Sequence, residues 1–109
     1  MSEKHCKPCE GGVLPLTETD ALAQLKKLHT SWEFSSNKTA ITRHFQFRGF
    51  SKVMQFVNAV ADIAKVEKHH PDVCFGYNYC DITLTTHSAG GITENDFIMA
   101  AKIDAVATA

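Results

Sequence analysis

No stretch of this sequence carries the ~20 consecutive apolar residues that a helix needs to cross a bilayer, so a membrane-spanning helix is excluded. Neither sign of charge is in excess: 11 Lys+Arg face 12 Asp+Glu, a formal net charge of −1. Such a balance draws neither nucleic acid nor an anionic membrane surface. Residues 1–12 lack the apolar segment of a secretion signal, and cytoplasm is the expected location. No internal repeat, low-complexity tract or linker interrupts residues 17–109.

Proline is scarce, with three in 109 residues, and cysteine numbers four. Cys6 and Cys9 have the two-residue spacing of a zinc or redox pair. A redox pair wants a strand ahead of it and a helix behind. Here the pair stands in a polar tail before Gly11-Gly12, and a zinc site would need two more ligands from His5 or another chain. The expectation is reduced thiols and no metal. Cys74 and Cys80 read as small apolar strand residues.

What is present suits one domain. Hydrophobic residues make up 44% and charged residues 21%, enough to bury one core in a chain of this length. Residues 1–16 read as a polar N-terminal tail, with Val13, Leu14 and Leu16 able to dock on the body, and residues 17–109 as the single domain. Thr17 caps a first helix whose apolar positions are Leu22, Leu25 and Leu28, ending near His29-Thr30. Trp32 and Phe34 mark a short strand, and Ser36-Asn37-Lys38 a turn. From Thr39 to Phe47 the period is two, with Ile41, Phe45 and Phe47 on one face and Arg43 interrupting it. Ser51 is the expected cap of the longest helix, with Phe50 as its staple residue and Val53, Phe56, Val57, Val60, Ile63 and Ala64 as its apolar stripe. Pro71 is expected to close it.

Val73–Tyr77 and Cys80–His87 follow as strands, with Asn78-Tyr79 in or beside the turn and Ser88–Ile92 as a glycine-bearing loop. Thr93 then caps a last helix, with Met99, Ile103 and Val106 on its apolar side. The order α-β-β-α-β-β-α predicts an α+β two-layer sandwich: a four-stranded antiparallel sheet with three helices on one face. Such a sheet leaves two edges, commonly paired with a second subunit.

Half of the six histidines fall in one window, His69-His70-Pro71 and then His87. The proline pushes His70 toward extended backbone, so two imidazoles stand at a helix-to-strand corner. The second strand of the C-terminal pair brings His87 back toward them. Imidazole titrates near neutral pH, with an unperturbed pKa of ~6.5, so this clustering points to proton transfer. Each histidine lies at an element end, where replacement is expected to cost little stability. His29 and His44 lack such context, and Trp32 reads as core or pocket wall. Asp96 reads as a capping residue of the last helix.

The pattern Lys65, His69-His70-Pro71, Tyr77, His87, Asp96 resembles the pterin-4a-carbinolamine dehydratases. The likeness extends to Trp32, Phe45 and Phe47, to Ile82-Thr83-Leu84-Thr85-Thr86-His87 and to Gly91-Ile92-Thr93, nearly the whole chain. It implies dehydration of a 4a-hydroxytetrahydropterin to the quinonoid dihydropterin in tetrahydropterin recycling, with no metal or organic cofactor. By that resemblance His69, His70 and His87 are the catalytic residues, His69 and His87 as the acid/base pair and His70 holding the pterin. Lys68, Pro71, Thr85, Thr86 and Ser88 are the expected substrate contacts. The family's members are dimers or tetramers. Lys65 and Lys68 depart from its usual acidic or Asn residues and make the rim more basic. Some members regulate transcription, and a role near molybdopterin metabolism is a further expectation.

Overall fold

Apolar and polar residues alternate from Tyr79 to Leu84, and that stretch is strand β4 (Tyr79–Leu84), with Cys80, Ile82 and Leu84 fully buried on one face. The computed structural model describes residues 5, 6 and 15–107, so the docking expected of Val13 and Leu14 lies outside the described residues. In chain order its elements are α1 (Glu18–Leu25), β1 (Glu33–Phe34), β2 (Ile41–Gln46), α2 (Phe50–Glu67), β3 (Asp72–Phe75), β4 and α3 (Glu94–Ala107). A 3-10 turn, His87–Ala89, precedes α3. The sheet order is β1-β2-β4-β3, antiparallel throughout. This is the α-β-β-α-β-β-α sandwich that the sequence predicts.

β4 is central because it pairs on both sides, with β2 from Ile41↔Leu84 to Gln46↔Tyr79 and with β3 from Asp72↔Thr83 to Phe75↔Cys80. Its helix-facing side packs with Ile41, Phe45, Val60, Phe97, Met99 and Ile103 in one core. Burying each such side chain contributes about 1.5–3 kcal/mol, so this layer is the main source of stability. The other side carries Thr42, His44, Asp81 and Thr83, all at least partly exposed.

Several boundaries differ from the sequence expectation. α1 ends at Leu25, short of His29, and its buried residue is Ala21 while Leu22 is exposed. Thr17 does cap it, its Oγ1 accepting from the Asp20 N–H at 3.2 Å. α2 starts one residue before Ser51, capped by Gly49 without a side-chain bond; Phe50 lies near Phe75, the rings tilted with centroids 6.4 Å apart. β3 stops before Gly76, where a Cβ would collide with the Tyr79 ring, and Tyr79 opens β4 directly beside the turn. β4 stops at Leu84, so His87 lies beyond the strand.

The stop of α2 matters most. Its last helical residue is Glu67, and Lys68 turns the chain with φ 56° and ψ 36°, in the left-handed region. Pro71 stands further on and does not end the helix. It keeps the connector His69-His70-Pro71 from resuming one before β3 begins. A lysine pays about 1 kcal/mol or more for this conformation, which Gly and Asn adopt readily. Lys68→Asn and Lys68→Gly should therefore raise stability by about 0.5–1 kcal/mol, seen as a higher urea midpoint at unchanged m-value. A lower midpoint for Lys68→Asn would contradict the backbone assignment.

Candidate active site

The reversal at Lys68 drops the next residue inward, and His69 is buried with its side chain 7% exposed. Its Nε2–H points at Asp96 Oδ1, 2.6 Å away, on the first turn of α3. Asp96 is itself at 0% exposure. Its second oxygen, Oδ2, accepts from the Thr86 hydroxyl and from the Thr93 N–H, both at 2.9 Å. The Thr86 and Thr93 hydroxyls also meet, at 2.8 Å. One carboxylate thus gathers groups from the connector after α2, from the end of β4 and from the entry to α3.

Asp96 does cap α3, as the sequence suggests, through the Thr93 N–H. Capping uses one oxygen of two. The other fixes the tautomer of a neutral His69: with Nε2 carrying the hydrogen, Nδ1 is the nitrogen that can take up a proton. The Asp96–His69 contact could be suspected from sequence only through Asp96's place in the motif spacing, because it joins residues 27 apart.

The loop after Thr86 is pinched shut by paired backbone bonds, Thr86 N–H to Gly91 O at 3.1 Å and Gly91 N–H to Thr86 O at 3.3 Å. Gly90 closes the 3-10 turn with φ 78°, a conformation that suits glycine. His87 and Ser88 ride on this turn and are exposed, as is His70. His70 follows His69 and His87 follows Thr86, so the backbone of each starts one residue from a group that bonds Asp96. Thr86 is buried in the network, and the Thr85 hydroxyl donates to the Thr39 carbonyl at 2.6 Å. Pro71 is half-buried and Lys68 exposed. A cavity of about 230 Å³ behind the loop is lined by Phe34, Lys38, Gly90 and Gly91 among others, and by none of these histidines.

One expectation changes here, and the one for Trp32 narrows to core. His69 cannot be replaced at little cost, because it is a buried partner of a buried carboxylate. Trp32 is core, 3% exposed, with its indole N–H shared between the two oxygens of Asp104 at 2.8 and 2.9 Å. Arg43 interrupts its apolar face because it too reaches Asp104, Nη1 to Oδ1 at 2.6 Å. Of the thiol pair, Cys9 lies outside the described residues. Burial, aided by Glu67, Asp96 and a bond to Glu67, pushes the Cys6 thiol up to about 12, the wrong direction for a redox nucleophile.

Comparison with known proteins adds the following. The model of the family described as "Pterin 4 alpha carbinolamine dehydratase" matches residues 14–106. The chain is 48% identical over 104 residues to a protein of Nitrosomonas eutropha, covering 95% of this chain and 90% of that one. It is 47% identical over 104 residues to a protein of Legionella pneumophila strain Lens, covering 95% and 92%. Both carry the name "Putative pterin-4-alpha-carbinolamine dehydratase". A crystal structure of a transcriptional coactivator/pterin dehydratase from Brucella melitensis superposes with a TM-score of 0.82 at 40% identity, covering 85% of this chain and 98% of that one. A pterin dehydratase-like protein identified as a RuBisCO assembly factor in the alpha-carboxysome gives a TM-score of 0.63 at 29% identity, covering 72% and 92%.

The network sets a stability test. A charge-assisted hydrogen bond contributes about 1.5–3 kcal/mol, and Asp96 accepts three bonds in the interior. Asp96→Asn should lower the unfolding free energy by at least about 2 kcal/mol. Thr17→Ala, which removes an exposed cap, should cost about 1 kcal/mol or less. Chemical denaturation of both variants checks the order. An Asp96→Asn variant as stable as the parent would show that the carboxylate is not the buried anchor described.

Proposed function

Because the chain belongs to the pterin 4 alpha carbinolamine dehydratase family, we propose that it expels water from a 4a-hydroxytetrahydropterin by histidine acid/base catalysis. The observation that carries this reading is the buried His69–Asp96 pair, with His70 and His87 one residue from its network. In the reaction the C4a–O bond breaks, the hydroxyl leaves as water after gaining a proton, and N5 loses a proton as the C4a–N5 double bond forms. Asp96 holds His69 Nε2–H and offsets positive charge on the ring when Nδ1 takes a proton, which suits His69 to act as the base toward N5. His87, exposed on its turn, then supplies the proton to the departing hydroxyl. His70 holds the pterin, with Lys68, Pro71, Thr85, Thr86 and Ser88 forming its surroundings. Neither metal nor organic cofactor takes part, and the physiological setting is tetrahydropterin recycling in the cytoplasm.

The names of the two solved structures support a second reading, a binding role as a coactivator or assembly factor. The two readings separate on the histidines. His69→Gln keeps an N–H for Asp96 but cannot shuttle a proton; it and His87→Ala should each lower kcat by ~10²–10⁴. The double variant should be little worse than the poorer single one, because groups acting as a unit are non-additive. His70→Ala should mainly raise KM. Steady-state dehydration of a freshly generated 4a-hydroxytetrahydropterin measures all four. Folded His69→Gln and His87→Ala with near-normal kcat would leave the binding role as the better account.

The same reading makes the chain a homo-oligomer, a dimer or tetramer. β3 is an edge strand, and Val73 and Phe75 on it are 36% and 39% exposed, beside Phe50 at 48%. An unpaired edge flanked by apolar side chains invites pairing with another copy. Sedimentation at micromolar concentration should give a dimer or larger; a monomer would contradict the assembly.

A further inference from the structure

Glu67 is the last residue of α2, and its carboxylate is buried, with the side chain 3% exposed. This is a poor place for an anion. The C-terminus of a helix already presents unpaired carbonyls and the negative end of its dipole, and burial removes the water that would screen them. Burial pushes the Glu67 carboxyl up, yet the Cys6 N–H, His5 and Lys102 outweigh it and hold the group below the usual carboxylate range. The contacts are specific: Cys6 N–H to Oε1 at 2.7 Å, His5 Nδ1 to Oε2 at 2.8 Å, and Lys102 Nζ to Oε2 at 3.8 Å. Lys102 belongs to α3. Glu67 therefore joins the N-terminal segment to both helices.

The segment also touches α3 independently. The Cys6 thiol donates to the Asn95 carbonyl at 3.6 Å. Asn95 immediately precedes Asp96, and Glu67 stands two residues before His69. His5 and Cys6 thus cross between the end of α2 and the start of α3, where the two halves of the buried pair originate.

We propose that Glu67 is a positioning residue, which anchors the His5–Cys6 strap across the ends of α2 and α3 and so holds His69 against Asp96. The pair comes from different elements and meets across 27 residues of sequence, with the left-handed Lys68 between His69 and its helix. A link between the two helix ends at this place restrains the separation on which their 2.6 Å bond depends. The kinetic part of this inference rests on the dehydratase reading; the structural part does not.

The test uses full-length chain labelled with ¹⁵N-histidine, and reads kcat, KM, thermal unfolding and imidazole nitrogen resonances. Glu67→Ala removes the anchor, while Glu67→Gln keeps an oxygen for the Cys6 N–H. Cys6→Pro removes that N–H, and Cys6→Ala retains it. Misplacing a catalytic group by ~1 Å can cost up to ~10²-fold, so Glu67→Ala and Cys6→Pro should each lower kcat roughly 10-fold. Their KM should stay within about twofold. In both, the His69 ring signals should move while those of His44, on the open face of the sheet, stay in place. Glu67→Gln should lie near the parent in both readouts, and Cys6→Ala, which keeps the N–H to Glu67 but loses the thiol bond to Asn95, should lie between the parent and Cys6→Pro.

If Glu67→Ala does not fold, Cys6→Pro against Cys6→Ala decides by the same signals. Folded Glu67→Ala or Cys6→Pro with unmoved His69 signals overturns the proposal, whatever happens to kcat. A parent chain without dehydratase activity would sink the reading of the reaction, and the His69 signals would still decide whether Glu67 positions the pair.

Discussion

A charge sealed from water at the start of α3 is the constraint on which the rest depends. Asp96 is at 0% exposure, and an isolated carboxylate there would be neutralised or expelled. It persists because three donors converge on it, His69 Nε2–H, the Thr86 hydroxyl and the Thr93 N–H. Each comes from a different part of the fold, so the corner after α2, the end of β4 and the entry to α3 must all be in register. Stability and chemistry are coupled at this point. The interactions that keep the anion buried are the ones that set the tautomer of His69 and tie down Thr86, the residue that leads into the His87 turn.

The far end of α3 is fastened in a similar way. Asp104 accepts both the Trp32 indole N–H and Arg43 Nη1, bringing the residues around β1 and β2 onto the same helix. Arg43 lies over the Phe45 ring, with its Cζ 4.2 Å from the ring centroid. Its Nε is buried and has no partner among the described residues. α3 thus carries one acidic anchor in its first turn and another near its end, and the sheet is held between them by apolar packing. The helix is buried on most of its first half, from Asn95 to Ala100.

How much of this could be read in advance follows from the range of the interactions. Period-two alternation in Ile41–Gln46 and Tyr79–Leu84 is local, and the strands lie there within a few residues of the expected bounds. That His69, His70 and His87 share one window is read from spacing along the chain alone. The Asp96–His69 bond is not, since capping already accounts for an Asp three residues into a helix. The helix stop at Lys68 escapes the sequence for a related reason: the proline three residues on is the louder signal, while a left-handed lysine leaves no trace in composition. Glu67 gives no signal at all, because the donor that meets its carboxylate is the Cys6 N–H, 61 residues away. Long-range polar contacts of this kind are fixed by tertiary structure, and patterns along the chain do not reveal them.

The central claim is that His69, held at Nε2 by Asp96, works beside His70 and His87 on a pterin. The most direct measurement is a titration of ¹⁵N-histidine-labelled chain with a stable oxidised pterin, following the six pairs of imidazole nitrogens. The account predicts that the rings of His69, His70 and His87 respond together on binding. It also predicts that His69 keeps its hydrogen on Nε2 while Nδ1 shows the larger change. A pterin that leaves these three rings untouched, or that moves His29 and His44 in their place, would contradict it.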